Sequence, residues 1–169
     1  MSKYHPDFVT VTCLNWIPVL ASREHKEIVI NSLRFLVKEG RVRVSAFVLM
    51  DTHFHLIWQV MGEHKRENVQ RDFLRFTAQQ ILKNLRNTKS PLLHELLVEA
   101  KDRKYQVWER NSLSVELYSA NVLIQKLEYI HLNPVVAGLC NLPEEYEYSS
   151  AWFYEKNEFN FDFLNHYED

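Results

Sequence analysis

The stretch from Val42 to Val60 constrains the fold more than any other part of the chain. VRVSAFVLM and HFHLIWQV are two runs rich in β-branched and aromatic residues, separated only by Asp51-Thr52. Two such runs with a two-residue connection read as a β-hairpin. That turn fixes the register: Met50 opposite His53, Val48 opposite His55, Leu49 opposite Phe54 and Phe47 opposite Leu56. Side chains alternate across a strand, so Phe54, Leu56 and Trp58 join Leu49 and Phe47 on one strongly apolar face. His53 and His55 stand side by side on the other.

An apolar hairpin face needs a second layer, and the flanking sequence supplies one. Phe8 to Leu14 alternates and predicts a strand. Arg23 to Glu39 predicts a helix, with Val29, Leu33, Leu36 and Val37 as its stripe and Gly40 as its stop. Val69 to Leu85 predicts a second helix, with Leu74, Ala78, Ile81 and Leu85 inward and Arg71, Arg75, Lys83 and Arg86 outward. Pro91 to Ala100 reads as a short helix and Tyr105 to Glu109 as a short strand. Ser119 to Asn133 predicts a third main helix, ended by Pro134. The order strand–helix–strand–strand–helix–strand–helix predicts an α+β, ferredoxin-like antiparallel sheet with packed helices. The 169 residues suit one domain over 1–169, with an aromatic, acidic tail from about residue 142 read as an extension.

Two cysteines, Cys13 and Cys140, without paired spacing argue against a disulfide framework or a thiolate zinc site, and favour a cytoplasmic setting. No signal peptide, membrane span or membrane partner is expected. The net charge of −2 hides an asymmetry. Residues 65–110 hold 11 Lys+Arg against 6 Asp+Glu, whereas residues 111–169 hold 2 against 10. Phosphate affinity follows the local field, so the basic middle segment is compatible with a nucleic-acid partner.

Two imidazoles on one strand face can hold a divalent cation given a third ligand, or can simply hydrogen-bond to neighbours on a half-exposed face. On the third helix, Ala120, Leu123, Leu127 and Ile130 form a core stripe. Tyr129 and Asn133, four residues apart, stack beside it, with Gln125 and Lys126 one turn earlier. A phenol and an amide oxygen thereby face one small volume, or Tyr129 packs its ring and leaves its hydroxyl to water.

VLMDTHFHLIWQV resembles the His-hydrophobic-His segment of HUH endonucleases, and YIHLNPVVAGL closely resembles the YIxxNPVxAGL segment of REP-associated tyrosine transposases. VWERNS is similar to the tryptophan-bearing strand before the tyrosine helix in that family, and YEYSSAWFY to its YxYSS segment. The likeness runs along nearly the whole chain in the right order. It implies His53 and His55 as metal ligands, Asn133 as a third ligand through its amide oxygen, and Tyr129 as nucleophile. It further implies Mg²⁺ or Mn²⁺ as cofactor and hairpin-bearing single-stranded DNA as partner. The reaction implied is a transposase's: cleavage and rejoining through a 5′-phosphotyrosine, by a monomer or homodimer. Arg71, Arg75, Lys83 and Arg86 with Lys101, Arg103, Lys104 and Lys126 are the candidates for nucleic-acid contacts. Trp108 is a further candidate for base stacking or for the core.

The chain departs from the family at Val136, where many relatives carry Arg, and in its acidic C-terminal part. No second tyrosine stands four residues from Tyr129, so a two-tyrosine replication initiator or nickase fits poorly. A non-catalytic, domesticated nucleic-acid binder on the same scaffold is the alternative from another functional class.

Overall fold

The computed structural model describes residues 2–169. Its main elements are β1 (Asp7–Thr12), α1 (Arg23–Lys38), β2 (Val42–Leu49), β3 (His53–Val60), α2 (Arg66–Asn87), α3 (Leu92–Glu95), β4 (Leu113–Glu116), α4 (Ala120–Val136) and α5 (Ala151–Lys156). The strands form one antiparallel sheet in the order β2-β3-β1-β4. β1-α1-β2 straddles β3, and β3-α2-β4 straddles β1, which is the ferredoxin-like arrangement the element order predicts. The hairpin register is as read from the turn: Val48 faces His55, Phe47 faces Leu56, Leu49 faces Phe54, and the Met50 amide donates to the His53 carbonyl at 2.9 Å. A bulge between Val44 and Ala46 lies further along β2.

α1 and α2 cover the face of Phe54, Leu56 and Trp58. Val29, Ile30, Leu33, Phe73, Ile81 and Leu85 complete that main core. The histidine face is not an open, half-exposed platform. α4 lies across it and builds a second core from Phe8, Val48, Met50 and Ile57 against Leu123, Leu127 and Ile130. Each of those three helix side chains is buried, contributing roughly 1.5–3 kcal/mol, so packing rather than intrinsic propensity holds α4 on the sheet.

Five sequence expectations need correction. The fourth strand is β4, not Tyr105–Glu109. The latter makes only isolated bridges, Leu97 to Tyr105 and Cys13 to Trp108, because it crosses the end of β1 instead of running along it. β4 is four residues long and largely exposed, so its apolar signal is weak. α4 passes through Pro134 and ends two residues later. Proline there costs one donor near the last turn, and the stop is set by Gly138 at φ +77°. The amides of Gly138 and Leu139 donate to the carbonyls of Val135 and Pro134, both at 2.9 Å, closing a Schellman cap. Gly40 closes α1 in the same way, as expected. Ala120 is exposed at the start of α4, and the inward stripe of α2 is Val69, Phe73, Thr77, Ile81 and Leu85, with Leu74 and Ala78 at its flank. Finally, β1 ends at Thr12, and the chain turns sharply through Leu14–Trp16.

The C-terminal segment packs along β2, which would otherwise be an edge strand. The Leu49 amide donates to Tyr148, that of Ser150 to Phe47 and that of Asn165 to Val44. Arg23 pairs with Glu147 and Arg34 with Asp162, so the tail's acidity is matched to α1. His131 faces inward from α4, away from Tyr129, and its Nε2 shares a 2.8 Å hydrogen bond with the Ser150 hydroxyl. Burial pulls the His131 imidazole down to about 4. An unfolded histidine titrates near 6.5, so below that pH the unfolded chain takes up a proton that the folded chain refuses. Stability is therefore full above about pH 6.5 and falls as pH drops towards 4. We predict that His131→Gln flattens the pH dependence of the urea midpoint. The difference from the unmutated chain should reach about 1–2 kcal/mol between pH 6.5 and 4.5.

Candidate active site

α4 runs antiparallel to β3, and the two elements step at nearly the same pitch. Four helix residues advance about 6 Å and two strand residues about 6.6 Å. Asn133 therefore comes to His53, and Tyr129, one turn earlier, to His55. The His53 Nε2 lies 3.3 Å from the Asn133 Oδ1. The Tyr129 ring lies 5.2 Å from that of His55, edge to face, and the two histidine rings are 5.0 Å apart. Lys126, a further turn back, reaches over Phe8 at 4.8 Å and Tyr129 at 5.9 Å, measured from Nζ to ring centroid. Tyr129 is 50% exposed, so its ring is accessible at the mouth of the site.

Neighbouring hydroxyls hold both imidazoles. Thr10, directly across on β1, shares a 2.8 Å hydrogen bond with the His55 Nδ1, and Thr52 one of 3.0 Å with the His53 Nδ1. With no cation bound, the Asn133 Oδ1 accepts from a protonated His53 Nε2; ligation through Nε2 would require the other tautomer, in which Nδ1–H donates to the Thr52 hydroxyl. Burial, with the charges of His53 and Lys126, presses the His55 imidazole down to about 3. Burial also lowers His53, opposed by its hydrogen bond to Asn133. Both rings are thus neutral near pH 7, the form that coordinates metal. Neighbouring ligands of an octahedral cation with bonds of about 2.1 Å stand roughly 3 Å apart. The pair His53 Nε2 and Asn133 Oδ1 already has about that spacing. Among the described residues no group of three or more His, Cys, Asp or Glu is placed to hold a metal ion. A cation at this site would therefore need the carboxamide as well as the two imidazoles, and the donor chemistry fits Mg²⁺ or, with imidazole present, Mn²⁺.

The hairpin turn that carries His53 is tied down from three sides. The Lys26 ammonium, buried under α1, donates to the Asp51 carboxylate at 2.9 Å and to the Leu20 carbonyl at 2.6 Å. The amides of Cys13 and Leu20 donate to the Thr52 and Asp51 carbonyls, both at 2.9 Å. The corner after β1 also presents a residue that the strand and helix patterns passed over. Trp16 is 62% exposed and its ring lies 5.6 Å from that of His53. Its one sequence signal is its place in LNWIP, just past a strand end where neither alternation nor a helical stripe has a use for it. Asn15 and Trp16 both sit in the left-handed region, at φ 51° and 57°.

The predicted basic contacts are not gathered at the histidines. α2 lies on the opposite face of the sheet. Arg71, Arg75 and Arg103, joined by Arg110, line a groove between α2 and residues 102–112, floored by Leu74, Ala78, Leu82 and Tyr105. Arg103 and Arg110 both pair with Asp102, and Arg71 with Asp72. Arg86 and Lys104 flank the Tyr105 ring at 5.5 Å each. Lys101 lies on the exposed loop beside Arg103, and Lys83 is exposed further along α2. Only Lys126 stands in the site itself. Trp108 belongs to the core, 5.5 Å from the Phe54 ring, and its Nε1 donates to Thr77. The acidic tail and this basic groove occupy opposite edges of the sheet, which separates the two charges that the net value conceals.

No protein-family model matches the chain, and no curated protein matches it. Among solved structures, it superposes on a REP-associated tyrosine transposase bound to a REP hairpin with a TM-score of 0.66 and 13% identity, over 99% of this chain and 96% of that one. A predicted transposase from Deinococcus radiodurans R1 matches with a TM-score of 0.50 and 13% identity, over 75% of this chain and 89% of that one. The chain thus shares its fold, end to end, with a REP-associated tyrosine transposase.

Two consecutive left-handed residues cost about 1–2 kcal/mol each for a side chain other than glycine, so something must hold the corner. The Asn15 amide donates to the Glu109 carboxylate at 2.6 Å, and the Glu109 amide donates back to Thr12 at 2.7 Å. Glu109→Ala is expected to destabilise the chain by about 1 kcal/mol in urea unfolding and to speed hydrogen exchange at the Asn15 amide. Unchanged exchange there would mean that another contact holds the corner.

Proposed function

We propose that this chain is a transposase-type enzyme that cuts and rejoins single-stranded DNA at hairpin-bearing, REP-like sequences. In this reading Tyr129 is the nucleophile, and His53, His55 and Asn133 hold a divalent cation, Mg²⁺ or Mn²⁺. The observation that carries the reading is the convergence of a phenol, a carboxamide and two neutral imidazoles from segments about 75 residues apart. The shared fold with a transposase bound to a REP hairpin supports it and extends to the choice of a hairpin-bearing strand as substrate.

The chemistry follows from the groups present. When bound, the cation supplies Lewis-acid neutralisation of charge developing on the scissile phosphate. Tyr129 attacks the phosphorus in line, giving up its phenolic proton to water. An oxygen–phosphorus bond forms, and the bond from phosphorus to the 3′ oxygen breaks. The departing oxygen takes a proton and leaves as a 3′-hydroxyl, while the 5′-phosphate stays on Tyr129. Attack by a 3′-hydroxyl reverses these changes and rejoins DNA, so the phosphodiester is conserved, whereas simple hydrolysis would lose it. Lys126, above the Tyr129 and Phe8 rings, adds positive charge beside the attacking oxygen and the phosphate. Thr10 and Thr52 hold the two imidazoles in orientation. All four central groups come from one chain, which fits a site completed within a monomer.

The test uses a single strand carrying a REP-like palindromic hairpin, incubated with Mn²⁺. The unmutated protein should form a denaturation-resistant covalent adduct, and Tyr129→Phe should form none. His53→Ala and His55→Ala should lower cleavage at least a hundredfold while strand binding persists. Cleavage surviving in both histidine variants would rule out this ligand set. Tight binding without any cut by the unmutated protein would instead identify a non-catalytic nucleic-acid binder. Mn²⁺ titration gives a separate check. Thr10→Val should weaken binding by roughly 10–100-fold, as expected for loss of a group that orients a ligand.

A further inference from the structure

We infer that Trp16 is the stacking platform for a nucleobase next to the scissile phosphate, and so a positioning residue of the site. The inference rests on the reading of the chain as a single-strand DNA enzyme and names a contact that reading does not assign.

Three observations point to it. Trp16 exposes most of its ring although two of the chain's other tryptophans, Trp58 and Trp108, are buried. The ring stands edge to face with His53, so a base lying on its open side adjoins the imidazole pair. Its backbone is held in an unfavourable left-handed conformation together with that of Asn15, whose amide donates to the Glu109 carboxylate, a carboxylate with no other hydrogen-bonding partner among the described residues. A strained, exposed aromatic retained beside a reactive site is placed for what it presents, because burial supplies no reason for it.

The chemistry of the surroundings selects the ligand. Glu109, which fixes the Trp16 corner, also borders the groove lined by Arg71, Arg75, Arg103 and Arg110. The groove lies on the far side of that corner, so charge does not select the ligand at Trp16; an exposed indole face beside an imidazole pair matches a base of a single-stranded nucleic acid, which stacks on it. Stacking on the indole would anchor the nucleotide beside the scissile bond and set the phosphate against His53 and Tyr129. Every base has a π-face, so this contact fixes position along the strand and leaves sequence to other groups.

The experiment compares two probes of equal charge, a dT 20-mer and an abasic deoxyribose-phosphate 20-mer, bound by the full-length chain with EDTA present so that nothing is cut. The unmutated protein should bind the dT strand at least tenfold tighter than the abasic one. Trp16→Leu, which keeps apolar contact with His53, should abolish most of that ratio without changing abasic-strand affinity. Trp16→Phe should restore much of it. A merely structural tryptophan would lower both affinities together or neither. A dT-to-abasic ratio unchanged in Trp16→Leu overturns the inference, and if the hairpin strand is still cut, the proposed function stands without it. Failure of the unmutated chain to bind either probe overturns the inference, while cleavage of the hairpin-bearing strand decides the proposed function separately.

Discussion

The packing of α4 across β3 is the contact on which the candidate site depends. Neither element alone brings the two imidazoles together with the carboxamide and the phenol. The strand offers two imidazoles at a step of two residues, and the helix offers an amide and a phenol at a step of four. Because these steps are nearly equal in length, one antiparallel crossing pairs Asn133 with His53 and Tyr129 with His55. What holds the crossing is apolar: Leu123, Leu127 and Ile130 against Phe8, Val48, Met50 and Ile57. The same contact lowers the histidines' affinity for protons by excluding water. Packing and chemistry are thus consequences of one interface.

Rigidity at the site is concentrated around the hairpin turn. Lys26, Cys13 and Leu20 bind the backbone and side chain of Asp51 and Thr52 from beneath and beside. The corner after β1 is fixed in turn by Glu109. Tyr129 is the exception, half exposed at the mouth, with ring contacts to His55 and Phe8. A fixed frame of imidazoles and carboxamide with an accessible phenol suits the proposed reaction, in which that phenol would approach a phosphate arriving with its strand. Charge is arranged on a larger scale: the acidic tail closes the β2 edge and pairs with α1, while the arginine groove lies beside the segment leading to β4.

Much of this was legible in the residues because it is local. The two-residue turn dictates hairpin register, period-two alternation puts both histidines on one face, and the four-residue spacing stacks Tyr129 over Asn133. The misread parts are those where a distant neighbour overrides a local rule. Tyr105–Glu109 has strand composition but meets only the end of β1, while the exposed LSVE of β4 pairs along Asp7–Thr10. Pro134 reads as a stop, yet Gly138 provides the conformation that a Schellman cap requires. Trp16 carries no periodic signal at all.

The sequence by itself determined which side chains share a face, because strand and helix periodicities are properties of the backbone and need no partner. It also determined the order of the elements and hence the layered fold. Only the tertiary structure decided that the histidine face is a second core, that Asn133 and not another polar group stands at His53, and that Trp16 flanks the pair. Those facts depend on how two surfaces distant in the chain fit when water is expelled between them, and no local spacing encodes that fit.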